Sequence, residues 1–320
     1  MHSHVVRAIL STNRITTPAP IMLSEQLAEF DAAGLLAGCG ESAEEYLDRI
    51  AKIRLAHAEF DARLESGNDV EALDGIVVRK SDVVPPEFYD APAEMTDRLY
   101  GFSVRHVPGF FLTHQVGLLW GGCLVGDPDR YFSLFLLRNA FRKRDKWFFY
   151  RRDELLAHEL CHSARQPLGE NTLEEFFAYQ TSPSRLRRNF GNCFIRDRDA
   201  ILFVLAPLLV LAAEIVRGIW FHSFPSWVFW CLTLVYPSYL LIRNHRSLAE
   251  LKRAERTLGA CGVAMPLAVL FRCTRDEIGE IAALEDAEAL DRYAAAKAAH
   301  EVRWQIITER FLSCTTPRTP

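Results

Sequence analysis

From Ala200 to Ala213 the chain runs without a polar side chain, and from Gly218 to Ile242 it contains no Asp, Glu, Lys or Arg. A segment of this length and apolarity either crosses a bilayer or fills the centre of a large core. Glu214 and Arg217 interrupt it; three apart, they can pair on one helix face and snorkel to an interface. The two stretches predict membrane-spanning helices over about 200–220 and about 224–242, a transmembrane hairpin. Trp220, Phe221, Phe224 and Trp227 cluster at the turn as an interfacial aromatic belt, and Pro207 and Pro237 are tolerated more readily in such helices than in soluble ones. Arg185, Arg187, Arg188, Arg196 and Arg198 precede the first span. Arg243, Arg246, Lys252, Arg253 and Arg256 follow the second, whereas the loop between carries only Arg217 and His222. By the positive-inside rule the protein is expected in a cell membrane, with both termini cytoplasmic. A buried hairpin in a soluble core is the competing reading, and the charge asymmetry argues against it.

The second informative feature is His158-Glu159-Leu160-Cys161-His162, an HExxH pentapeptide. Residues four apart share a helix face, so His158 and His162 can hold one metal ion, with Glu159 beside them as a base. A helix is expected there, with Asp153 as its N-cap and Gln166-Pro167 ending it. Cys161 reads as a packed thiol on the inner side of that helix. The eight cysteines form no CxxC pair, so neither a zinc ribbon nor a thioredoxin-like site is indicated, and reduced thiols are expected. A net charge of −4 provides no reason to expect nucleic acid as a partner. Met1 to Leu23 lacks the apolar run after a basic start that would mark a signal peptide.

With 320 residues, the chain is long enough for one large or two modest domains. Thr16 to Pro20 reads as a loop. Residues 1–69 are expected to form an N-terminal helical segment, with a capping box at Ser42-Ala43-Glu44-Glu45 and a stripe of Tyr46, Ile50, Ile53, Phe60 and Leu64. Residues 70–199 read as the site-bearing α+β domain. Its short apolar runs (Ile76–Val78, Phe102–Val104, Phe110–Leu112, Leu118–Val125, Tyr131–Phe141) read as strands. Arg142 to Lys146 reads as a polar hairpin turn leading into a strand at Trp147–Tyr150. The hairpin occupies 200–242. Residues 243–320 are expected to be helical, with an apolar helix over Val263–Phe271 and a second capping box at Thr274-Arg275-Asp276-Glu277.

Zinc catalysis needs three protein ligands and an open position. The third ligand is sought on the helix expected to start near Asn171 or Thr172, where Glu174 and Glu175 lie 12 and 13 residues past His162. In Glu175-Phe176-Phe177-Ala178-Tyr179, Tyr179 lies one turn from Glu175 on the same face. Against Glu175, Thr172-x-x-Glu175 is also a capping box, which leaves Glu174 as the alternative.

The pair His158-Glu159-x-x-His162 and Glu175-x-x-Ala178-Tyr179, about 30 residues in all, resembles the zinc metallopeptidases of the gluzincin group, some of which are membrane-bound. The resemblance implies a zincin-like fold, a mixed sheet with active-site helices. It also implies hydrolysis of a protein or peptide substrate at Zn2+ held by His158, His162 and Glu175. Glu159 would be the base, and Tyr179 or Arg165 a donor to the carbonyl oxygen. Both spans follow the third ligand here, and Tyr179 stands where the better-known membrane members carry Asp. The charged residues around the motif, Arg151, Arg152, Asp153 and Glu154, predict a site in water close to the bilayer rather than inside it. The reading from another class is a membrane-anchored, zinc-stabilised scaffold or regulatory binding protein without turnover. His106, His114 and His245 have no motif context and read as structural or surface residues.

Overall fold

The computed structural model describes residues 20–67, 69–73, 75–112, 120–127, 131–170, 172–223 and 225–312. Residues 1–19, His114, Leu118, Asn171, Phe224 and Cys314 lie outside these, and with them the expectations placed there. The described residues begin with two helices, α1 (Pro20–Ala32) and α2 (Ala43–Glu65). Ser42 starts α2 by a reciprocal capping box: Glu45 N donates to Ser42 Oγ at 3.3 Å and Ser42 N to Glu45 Oε2 at 2.8 Å. Tyr46, Ile50, Phe60 and Leu64 are buried along one side.

A small ribbon, β1 (Val70–Leu73) with β2 (Ile76–Val78), leads to α3 (Asp90–Tyr100). This helix was not foreseen, because its few apolar residues lie inside a region dominated by strand-like runs. It stops at Gly101, whose φ of 68° is a left-handed conformation that glycine adopts without strain. Phe102-Ser103-Val104, expected as a strand, is an irregular buried connection. Phe102 lies 5.0 Å from the Phe271 ring and Ser103 N donates to the Ala32 carbonyl oxygen. Its apolarity reflects burial by side chains, not pairing in a sheet.

The main sheet has the order β3 (Gly109–Leu112), β5 (Phe132–Arg138), β4 (Gly122–Asp127). β3 runs parallel to β5 and β4 antiparallel to it, so β4 is an edge strand. Side chains on β5 alternate between two cores. Leu134 and Leu136 pack with Phe60, Phe110 and Phe132. Phe135 and Leu137 join Phe111, Leu156 and Leu160. The sheet thus lies between α2 and the helix that carries the HExxH motif.

After a 3-10 turn at Asn139–Arg142 the chain forms a ribbon of two-residue strands, β6 (Lys146–Trp147) and β7 (Tyr150–Arg151). The reversal falls at Phe148-Phe149, with Phe148 at φ 49°, and not at Arg142–Lys146. Polarity misplaced the turn: here the aromatic pair, not the charged run, is the exposed tip.

Helices then follow: α4 (Arg152–Arg165), α5 (Glu174–Gln180), α6 (Arg185–Phe190), α7 (Asp197–Ile219) and α8 (Trp227–Ala260). Four more α-helices follow, α9 (Pro266–Phe271), α10 (Arg275–Ala282), α11 (Ala287–Ala298) and α12 (Val302–Ile307), the last running into a π-helical turn at Thr308–Leu312. The Thr274 capping box of α10 forms, with Thr274 N donating to Glu277 Oε2 at 2.8 Å. The C-terminal helices share the core of the α+β region instead of standing apart from it. Phe271 stacks on Tyr100 at 4.2 Å, and Trp304 and Leu251 belong to the same buried cluster as Leu160.

Among the described residues one helix, Arg198–Ile219, is long and apolar enough to cross a membrane. Ile201, Val204, Leu208, Leu211 and Ile219 on it are exposed. α8 packs beside it: Thr233 Oγ1 reaches the Ala206 carbonyl oxygen (3.0 Å), and Trp230 Nε1 donates to Glu214 Oε1 (3.1 Å). The expected second span differs in both bounds. The helix begins at Trp227 and does not stop at Ile242 but continues to Ala260, because Leu251, Ala254 and Leu258 bury the stripe that extends it. Its uncharged part, Trp227 to Ile242, is about 24 Å long at the helix rise, short of the roughly 30 Å hydrocarbon thickness.

Candidate metal centre

α4 is built to present one polar face. Leu156, Leu160, Ala157, Cys161 and Ala164 are buried against the sheet and the C-terminal helices. The opposite side carries His158, Glu159 and His162. Asp153 lies in the first turn of α4, where a carboxylate suits the helix dipole, and Arg151 occupies the cap position. Cys161 is enclosed in the core, and burial pushes its thiol far above the usual range.

α5 comes back across α4 after the turn at Gly169. The Thr172–Glu175 box does not form: Leu173 is the cap residue and makes no side-chain cap bond, so Glu175 is free to face the histidines. Tyr100 Oη anchors α5 by donating to the Phe177 carbonyl oxygen at 2.7 Å. Burial of Phe176, Phe177 and Ala178 turns the two carboxylates toward the histidines.

The carboxylates take different positions. Glu175 reaches both imidazoles, with Oε2 3.6 Å from His158 Nε2 and Oε1 3.5 Å from His162 Nε2. The two Nε2 atoms are 3.2 Å apart. All three ligating atoms lie within 4.8 Å of one another, the one such group of His, Cys, Asp and Glu among the described residues. With metal–ligand bonds of about 2.0–2.1 Å, the edges of a tetrahedron measure about 3.3 Å, so the donor set fits a tetrahedral divalent cation such as zinc.

Glu174 instead stands behind His162. The hydrogen-bond pattern assigns the ring proton to Nδ1, which donates to Glu174 Oε2 at 3.0 Å and leaves the Nε2 lone pair facing His158 and Glu175. Glu174 Oε1 in turn accepts from Arg165 Nε at 2.9 Å. Arg165 is fully buried, also donates to the Phe271 carbonyl oxygen and lies 4.6 Å from the Phe177 ring centre. Considered from sequence as a donor to the substrate, Arg165 is a strut inside the core that faces away from the site.

The protonation pattern follows from these contacts. Burial pushes the His158 imidazole down to about 3, helped by the charges of His162 and Arg187. Burial also acts to lower His162, but its bond to Glu174 and the charges of Glu175 and Glu159 outweigh it and raise the ring above its ordinary value. Burial raises Glu159 and Glu175. Glu159 is oriented by the backbone: Leu124 N, on the open side of β4, donates to its Oε2 at 3.0 Å. The Tyr179 ring packs edge-on against His158 with centroids 4.5 Å apart, and burial raises its phenol to about 12, so the hydroxyl keeps its proton.

Three participants were not found from sequence. By spacing Glu174 reads only as a rival ligand, not as the partner of His162. Leu124 acts through its backbone, which carries no residue signature. Arg187 bonds Glu154 at 2.6 Å and adds positive charge near His158 and Tyr179, yet in sequence it is one of a basic run. Comparison with known protein families, with curated proteins and with solved structures returned no match.

Proposed function

We propose that this chain is a membrane-anchored zinc peptidase of zincin-like architecture whose site faces the cytoplasm. The observation that carries the reading is the triangle of His158, His162 and Glu175 with Glu159 turned toward it by the edge of a sheet. Those three side chains would hold a zinc ion, which would supply a Lewis acid for the scissile carbonyl and make water more acidic. Glu159, its basicity raised by burial, takes a proton from the attacking water and returns it to the leaving amine. Tyr179 offers a protonated hydroxyl beside His158 for the developing oxyanion. β4 pairs on one side only among the described strands, and an extended peptide laid along its open side would add main-chain hydrogen bonds.

Anchoring rests on α7 and the apolar half of α8. The shorter stretch on α8 crosses with Trp227 and Trp230 at one interface and the exposed Arg246 at the other, where Arg243 pairs with Asp199 of α7 at 2.6 Å. Membrane lipid and a protein or peptide substrate are then the partners.

The test is Glu159→Gln in detergent-purified full chain, with zinc content and cleavage of a mixed peptide library measured together. Cleavage should fall by about 10^2–10^4-fold while zinc content stays the same. Undiminished cleavage by the variant would sink the mechanism. Zinc in both proteins with cleavage in neither points to a zinc-stabilised scaffold instead.

A further inference from the structure

The β6–β7 ribbon and α6 present large apolar side chains to the outside. Phe148 is 56 % exposed, Phe149 52 % and Leu186 69 %, and Phe190 and Phe194 are also open. These residues form one connected surface. Leu186 and Phe190 lie four apart on α6, and Phe194 follows the 3-10 turn after it. The Phe194 ring packs on Phe203 of α7 with centroids 5.3 Å apart, and Phe190 lines a groove with Leu241 and His245 of α8. Asn244 Nδ2, two residues past the end of the uncharged run, donates to the Asn189 carbonyl oxygen at 2.7 Å. The stripe is therefore continuous with the apolar surface of both long helices, at the end where each meets its flanking arginines.

The ribbon tip joins the same surface through Arg187, which donates to the Phe149 carbonyl oxygen and to Glu154 Oε1, each at 2.6 Å. Phe148 holds a left-handed backbone, where glycine or asparagine is the relaxed choice, and its ring stays more than half exposed, with Trp147 against one edge at 5.3 Å. Exposed cations lie along the ribbon, at Lys143, Arg144, Lys146 and Arg151 with Asp145 among them, and at Arg185 where α6 starts. An aromatic tip on a basic ribbon beside an apolar helix surface matches an anionic bilayer interface, with rings at the acyl boundary and cations at the phosphates.

We propose that the Phe148-Phe149 tip and the Leu186–Phe194 stripe form a foot inserted in the headgroup region of an anionic lipid bilayer. This rests on the membrane anchoring proposed above and deepens it. Glu154 lies one helical turn before His158 on α4, so a seated foot fixes the height of the candidate metal centre above the lipid. The substrate class that follows is an extended chain segment emerging at the membrane surface.

The experiment uses the full chain reconstituted in vesicles of phosphatidylcholine and phosphatidylglycerol brominated near the headgroup. A fluorescent amino acid replaces Phe149, Leu186, Leu205 in α7 or Glu65 at the end of α2, one position per sample. Loss of emission at 149, 186 and 205, with emission at 65 kept, is the expected result. Quenching at 205 with none at 149 and 186 overturns the foot and leaves the anchor standing. Absence of quenching at 205 overturns the anchor and the foot with it.

Discussion

Glu174 and Glu175 are adjacent and chemically identical, yet the structure assigns them separable jobs, which a pair of glutamine substitutions tests. Glu174→Gln keeps the shape but removes the charge opposite Arg165, whose side chain has no exposure. Removing one partner of a buried ion pair costs about 3–5 kcal/mol. Arg165 would retain the Phe271 carbonyl oxygen, Glu170 at 3.8 Å and the Phe177 ring, so the lower end, about 3 kcal/mol, is expected. Glutamine keeps one acceptor oxygen where Glu174 offers two, so His162 Nδ1 and Arg165 Nε compete for it, and the less firmly oriented His162 should weaken metal binding by about 10–100-fold. Glu175→Gln behaves oppositely. Burial outweighs the pull of the His162 charge and, with Glu174 adding to it, already disfavours the ionised form of Glu175 without metal, so neutralising it leaves the metal-free protein within about 0.5 kcal/mol of the parent. Metal binding, however, loses a ligand and should collapse. Chemical unfolding of chelator-treated protein in detergent reads the first quantity, and competitive zinc titration reads the second. If Glu175→Gln retained zinc while Glu174→Gln lost it at unchanged stability, the assignment of ligand and orienting residue would be wrong.

Three further outcomes are expected. A Cβ at Gly191 would run into the Tyr179 ring, so Gly191→Ala should displace that ring from His158 and lower turnover while zinc content stays constant; unaltered kinetics would remove Tyr179 from the reaction. Tyr100→Phe deletes a buried bond to the Phe177 carbonyl oxygen and should cost about 1–3 kcal/mol in chemical unfolding. Glu277 is buried, and although burial opposes its charge, bonds from Arg303, Thr274 N and Trp304 hold it down at about 2, against an ordinary 4.5. Because its folded value is depressed, the stability it adds is complete above pH 4.5 and is lost as pH falls toward 2. About 2 kcal/mol of a total near 3 should be gone by pH 3, and Glu277→Gln should flatten that slope in unfolding measured from pH 5 to pH 3.

Local signals were legible wherever a feature depends on neighbours in sequence. The capping boxes at Ser42 and Thr274 form because their partners are three residues away. The helix carrying His158 and His162 follows from periodicity, and its end from Pro167 and Gly169. The long apolar helix over Arg198–Ile219 is visible from composition alone. In contrast, the turn at Phe148-Phe149, the irregular path of Phe102–Val104 and helix α3 depend on what packs against them. Phe102 is apolar because Phe271 covers it from a distant part of the chain, not because it pairs in a strand.

The site divides the same way. Sequence alone determined that two imidazoles and a glutamate share one helix face, since helix geometry places residues four apart together. Only the tertiary structure decided which later carboxylate meets them. That choice turns on the angle at which α5 crosses α4, which the packing of Phe176, Phe177 and Arg165 in a shared core determines. It also decided that Glu159 is aimed by the Leu124 backbone, because a strand edge can face a helix only after the sheet has formed. Contacts made through backbone groups, or across a hundred residues, leave no spacing in the chain to be read.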